Sequence, residues 1–251
     1  MKPDNPLVLQ KPALVTTADA DFYGKLRPGA LVNFMLQAAV TSADNLGFGL
    51  AYLKAHGLFW VLSRFSLELY EQINWMDELQ VITWPRDTDR LFYLRDFVIE
   101  RKNGVKVAAA TSAWLAIDQN SKRPVTLEAD HSAVFTRLKD VSSGVHALDR
   151  LEMTDESPSC SESVSPVYSD FDLNGHVTTT RYIDWALNTL SFEYHENNFL
   201  KSLQVNFMKE ILPNEKITLH RFDRENGFHF QGNINSDGKL AYMLTADFNS
   251  N

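Results

Sequence analysis

The second half of this chain repeats the hydrophobic pattern of the first, so whatever it folds into must be built from two similar units. With Gly24 set on Gly175, the segment Gly24–Leu36 falls on Gly175–Leu187. Few residues are identical, but the pattern matches. The positions of Leu31, Phe34, Met35, Ala38 and Ala39 coincide with Tyr182, Trp185, Ala186, Thr189 and Leu190. This i, i+3, i+4, i+7, i+8 spacing is that of a buried helix face. Pro28 suits the first turn of such a helix, where its missing N–H is not needed.

Each helical pattern is followed by alternating, aromatic-rich segments. In the first copy they run over 59–70, 79–84, 91–101 and 105–117; in the second, over 203–207, 216–222, 228–234 and 240–248. A period of two marks strands with one buried face. Asn103-Gly104 and Asp237-Gly238 fall at matching places and predict hairpin turns. The sequence therefore predicts an α+β fold of two tandem units, each a long helix packed on an antiparallel sheet. The expected division is 1–137, a polar, Ser-rich linker at 138–166, and 167–251.

Composition narrows the function classes. A chain of 251 residues with 44% hydrophobic and 12% aromatic content has ample material for packed cores. No run approaches the ~18 apolar residues of a membrane span, and the opening Met1-Lys-Pro-Asp-Asn-Pro6 lacks the apolar core of a secretion signal. A cytoplasmic protein is expected. Cys160, the single cysteine, cannot form an internal disulfide, lies in a Ser/Pro-rich run and belongs to no zinc-spaced pattern. No metal or other cofactor is expected. The net charge of −8 argues against nucleic acid as the main ligand. Basic residues cluster in the first half, at Lys25, Arg27, Arg64, Arg90, Arg95, Arg101 and Lys102. Taken singly, each reads as a solvated surface charge.

The chemistry concentrates in Asp170-Phe-Asp172-Leu-Asn174-Gly-His176-Val177, just before the second helical pattern. Asp172, Asn174 and His176 alternate, so in an extended segment they share one side. A calcium loop would also begin D-x-D-x-N-G, but its twelfth position requires a bidentate Glu. Here it is Arg181, a cation that would repel the metal. A polar turn leading to an N-cap at Thr178 or Thr179 explains the turn but not the histidine.

This helix-on-sheet pattern in tandem resembles the hotdog fold. At the second copy the likeness is specific: the Asp172-x-Asn174-x-His176-Val177 segment, Tyr182-Ile-Asp-Trp185, and Leu203–Glu215 resemble acyl-acyl-carrier-protein thioesterases. The resemblance implies hydrolysis of the thioester between a fatty acyl chain and the phosphopantetheine arm of its acyl carrier protein. It implies Asp172, Asn174, His176 and Glu210 as catalytic residues. Ile211 stands where plant members often have cysteine, and Thr178-Thr179 where a pair of asparagines often follows His-Val.

The first copy has Asp21, Tyr23 and Lys25 at the corresponding positions, and Gln72 in place of Glu210, so one site per tandem pair is expected. By the resemblance the first copy holds the acyl chain, with Trp60, Phe92, Tyr93 and Trp114 as lining residues. Lys25, Arg27 and Arg64 are the candidates for carrier contact. A carboxylate, Glu210 or Asp172, would act as general base toward water, with His176 and Asn174 as donors to the developing oxyanion. Direct carboxylate attack through an anhydride is the alternative chemistry. An acyl-coenzyme A thioesterase, a hotdog hydratase and a non-catalytic acyl-binding protein are the competing functions. Either a monomer or a homodimer fits a tandem chain.

Overall fold

The computed structural model of the chain describes residues 5–145 and 149–250. Met1–Asp4, at the start of the segment inspected for a leader, residues 146–148 of the expected linker and Asn251 lie outside them. The chain divides into two compact units. One comprises Met1–Leu26 with Leu31–Leu148, the other Arg27–Ala30 with Asp149–Asn251.

In the first unit, helix α1 (Pro28–Asn45) is followed by a short α2 (Leu50–Ala55) and a run of antiparallel strands. The strands are β1 (Leu9–Leu14), β2 (Leu58–Leu69), β3 (Glu78–Asp89), β4 (Phe92–Arg101), β5 (Lys106–Asp118) and the two-residue β6 (Pro124–Val125), and α3 (Ala129–Phe135) follows them. They are ordered β1-β3-β4-β5-β2, with β6 added to β5. Leu31, Met35, Ala38 and Ala39 of α1 are buried, as their spacing requires, with Val32 beside them, while Phe34 of the expected face is only half-buried.

The second unit repeats the plan with β7 (Cys160–Val164), α4 (Thr179–Asn188), α5 (Phe192–Asn197), β8 (Asn198–Phe207), β9 (Ile217–Arg224), β10 (Gly227–Ile234) and β11 (Leu240–Ser250). Its strand order is β7-β9-β10-β11-β8, the order of the first unit strand for strand. The repeat is thus deeper than the hydrophobic pattern suggested, because β7 is the counterpart of β1. Its helix is shorter, 10 residues against 18.

Both expected hairpin turns form. Gly104 and Gly238 take φ of +81° and +68°, a conformation nearly free of strain only for glycine. In each turn the preceding Asn103 or Asp237 accepts the backbone N–H two residues on, from Val105 or Lys239.

Within the stretch expected as linker, both described ends are tied down. In the first unit, Asp96 accepts the Ser143 N–H at 2.7 Å, Trp84 Nε1 donates to the Val141 carbonyl and Lys106 Nζ to that of Ser143. In the second, Asn206 accepts the Leu151 N–H at 2.7 Å and Gln204 donates to the Asp149 carbonyl. Among the described residues no helix is long and apolar enough to cross a membrane.

Candidate active site

The polar motif forms a tight loop between Tyr168–Asp170, a single 3-10 turn, and α4. Asp172 organises it. Its backbone N–H donates to the His176 carbonyl (2.9 Å), and its own carbonyl accepts from Gly175 N (3.0 Å). Its carboxylate accepts the Asn174 N–H at 2.8 Å and the His176 N–H at 3.4 Å. Gly175, with φ +75°, lets the chain reverse here. The sequence expected Thr178 or Thr179 to cap the helix. Thr178 occupies the N-cap position, but its side chain makes no capping bond.

A second backbone link brings in the fourth residue. Val177 N donates to the Ile211 carbonyl at 3.1 Å, which aligns the loop with the segment after β8. His176 Nε2 lies 3.1 Å from Glu210 Oε2, with the two side chains 29% and 45% exposed. Of the four expected catalytic residues, His176 and Glu210 therefore meet directly. Asp172 and Asn174 form the loop beside them, their side chains 3.5 Å apart.

Two further residues of this site, Tyr182 and Arg181, were not among the expected catalytic residues. Tyr182, on the buried face of α4, packs edge-on against Tyr242 and Phe207. Burial, aided by the charges of Glu210, Asp172 and Glu215, pushes its phenol pKa well above the usual value. Arg181, weighed above as the wrong residue for a calcium loop, pairs with Asp170 Oδ1 (3.1 Å) and Asp184 Oδ2 (3.2 Å). It thereby ties the 3-10 turn to α4. Among the described residues no group of three or more His, Cys, Asp or Glu side chains could hold a metal ion.

The first unit builds the same loop without the chemistry. Asp21 accepts the N–H groups of Tyr23 (2.8 Å) and Lys25 (2.9 Å), Gly24 has φ +76°, and Leu26 N donates to the Ile73 carbonyl at 2.9 Å. That last bond is the counterpart of Val177 to Ile211 and gives Gln72, within the first unit, the position that Glu210 holds in the second. The register inferred from sequence for that pair thus reappears in the backbone.

Of the residues expected to line an acyl site, Trp60, Tyr93 and Trp114 meet around one cavity of about 80 Å³ in the first unit. Phe92 is not among its walls. Successive strand residues face opposite ways, and its ring lies under Arg64, 5.0 Å away. Of the carrier-contact candidates, Arg64 makes that stack, Lys25 lies in the first unit's turn, and Arg27 acts on Asp184, whose carboxyl pKa burial raises while Arg181 and, to a lesser degree, Arg27 partly offset the rise. Arg95, read as a solvated charge, is instead buried, at 4% exposure.

The fold and loop define a double-hotdog protein with a histidine–carboxylate pair in its second unit. Family models for the acyl-ACP thioesterase N-terminal domain and C-terminal domain match residues 6–135 and 153–250, and the chain belongs to that family. It is 27% identical over 198 residues to the chloroplastic oleoyl-acyl carrier protein thioesterase 2 of Arabidopsis thaliana, covering 72% of this chain and 53% of that protein. To an acyl-[acyl-carrier-protein] hydrolase of Cuphea viscosissima it is 26% identical, covering 66% and 42%. The chain spans about half the length of the curated relatives it matches. A crystal structure of an acyl-ACP thioesterase from Bacteroides thetaiotaomicron superposes with a TM-score of 0.88 at 27% identity, covering 96% of this chain and 98% of that one. The 12:0-ACP thioesterase of Umbellularia californica shares the fold at 17% identity, with a TM-score of 0.83 and 98% of both chains covered.

Proposed function

We propose that this chain hydrolyses the thioester joining a fatty acyl chain to the phosphopantetheine arm of an acyl carrier protein, releasing the free fatty acid. The observation that carries this reading is the 3.1 Å contact of His176 with Glu210, half-open to solvent beside the start of α4. Membership of the acyl-ACP thioesterase family supplies the substrate class.

In this reading Glu210 is the general base. Its carboxylate takes a proton from the attacking water, a role worth ~10² to 10⁴-fold, and passes it to the departing thiolate sulfur. His176 holds Glu210 through Nε2 and keeps Nδ1 for the substrate side. The Asn174 amide and the N–H groups that open α4 are donors to the oxyanion, where each donor commonly contributes ~10² to 10³-fold. Asp172 holds the loop that presents Asn174 and His176 and is a positioning residue.

The first unit takes the acyl chain through Trp60, Tyr93 and Trp114, and Lys25, Arg27 and Arg64 meet the carrier. A cytoplasmic location goes with the reading, since a lone Cys160 suits a reducing compartment. The test is thiol release from a panel of saturated acyl-carrier-protein and acyl-coenzyme A substrates, comparing wild type with His176→Ala and Glu210→Ala. Turnover on carrier substrates that falls by ~10² or more in both variants is expected. A wild type inert on every saturated thioester would sink the proposal.

A further inference from the structure

The cavity in the first unit is walled by Ala39, Ala43, Phe48 and Phe135 together with the aromatic trio named above. The polar ends of that trio are turned into the protein. Trp60 Nε1 donates to the Phe48 carbonyl, Trp114 Nε1 donates to Ser112 Oγ, and Tyr93 Oη accepts the Leu127 N–H at 2.7 Å. What they offer the cavity is ring surface, which suits a hydrocarbon chain.

One wall residue breaks the pattern. Arg95, the single charged residue of the lining, lies on β4 two positions beyond Tyr93, so both face the same side. Its Nη1 is fixed by two hydroxyls, Ser42 Oγ on α1 at 3.0 Å and Thr83 Oγ1 on β3 at 3.2 Å. Among the described residues no carboxylate pairs with it. Burial pulls its pKa down, and no neighbouring charge offsets that. An ionised group buried without a counter-charge is expensive, and an apolar side chain of similar volume would often be at least as stable there. A cation kept in an otherwise apolar and aromatic cavity therefore needs a reason other than stability.

We propose that Arg95 is the polar stop of the acyl cavity and sets the longest chain accepted, an inference that rests on the thioesterase reading above. A methyl-ended chain packs against Trp60, Tyr93 and Trp114, while a longer one must push its terminal carbons onto an anchored guanidinium. Each methylene in an apolar pocket is worth roughly 10- to 200-fold in discrimination, so one such group produces a sharp cutoff.

The experiment measures kcat/KM for thiol release across saturated acyl-carrier-protein substrates of increasing length, with the equilibrium binding of free fatty acids of the same lengths beside it. Wild type is compared with Arg95→Met, which removes the charge but keeps the bulk, and Arg95→Lys, which keeps the charge. Arg95→Met is expected to move the cutoff by about two carbons, raising kcat/KM on the first excluded length by ~10-fold or more, mainly through KM. Arg95→Lys is expected to keep the wild-type cutoff. Ser42→Ala, which leaves Arg95 in place and frees one anchor, is expected to loosen the cutoff in the same direction and provides the answer should Arg95→Met fail to fold.

An unchanged length profile in folded Arg95→Met or, in its absence, in Ser42→Ala overturns the proposal. So does a wild type that prefers chains ending in a carboxylate, because Arg95 would then be a ligand and not a stop. A wild type that binds fatty acids with a length cutoff abolished in Arg95→Met, yet releases no thiol, leaves the polar stop standing and removes the thioesterase reading.

Discussion

Asp172 and Glu210 are both carboxylates in the site, and the repeat tells them apart. The hydrogen bonds that Asp172 gives its loop are those Asp21 gives the equivalent loop of the first unit, where the histidine and glutamate positions hold Lys25 and Gln72. An aspartate that accepts the same bonds where no pair exists supports the positioning role proposed for Asp172. Asp172→Asn keeps an oxygen to accept both N–H groups and is expected to retain activity within ~10-fold of wild type. Glu210→Gln removes the proposed base and is expected to cost ~10² or more. Steady-state kinetics of the two variants decide the matter, and the reverse order would make Asp172 the base. His176 was legible from its alternation with Asp172 and Asn174. Glu210 was not legible from local pattern, because its place depends on the long-range bond between Val177 and Ile211. Arg95 was misread for a related reason: a lone arginine in an alternating strand carries no sign of which face is buried.

At the scale of elements, six alternating strands were found in sequence to within about two residues of their ends, β3 and β8 over only half their length; the two-residue β6 was missed, as were β1 and β7. Both are short edge strands, and β7, Cys-Ser-Glu-Ser-Val, is polar and mostly exposed, as edges that must not recruit another chain tend to be. The strand β10 shows the opposite case. Its residues are buried on both faces, and His229 and Gln231 lie on the face that also carries the Gln231 contact to the Thr154 carbonyl. His229 is 1% exposed, with its Nε2 3.1 Å from Gln231 Nε2. Burial, with a smaller push from Arg224, lowers its pKa to about 4. In the unfolded chain the value is near 6.5, so between these pH values the unfolded state binds more protons and stability falls as pH falls. Above about pH 6.5 the contribution is fully present. The loss on acidification reaches at most about 3 kcal/mol. His229→Phe is expected to flatten the decline of the melting temperature between pH 6.5 and 4, and a decline as steep as that of wild type would assign the acid sensitivity elsewhere.

For the whole molecule, charge and partner pull in opposite directions. The chain carries a net −8, so the acidic carrier protein of the proposed reaction would meet repulsion at long range. Productive encounter then depends on a local basic face, and the residues proposed for it are Lys25, Arg27 and Arg64. The two effects respond to salt with opposite signs. Screening shortens the reach of charge to about 10 Å at 0.1 M ionic strength, which weakens both a general repulsion and a local attraction, and the dominant one decides the trend in kcat/KM. If the basic face dominates, kcat/KM on carrier-linked substrate falls severalfold between about 0.05 and 0.5 M salt, while the rate on the matching acyl-coenzyme A changes less. Arg64→Ala, which removes a cation that is not part of the His176–Glu210 pair, is expected to flatten the carrier curve without altering kcat. A carrier rate that rises with salt would mean that net repulsion controls encounter and that these three cations do not form the docking face.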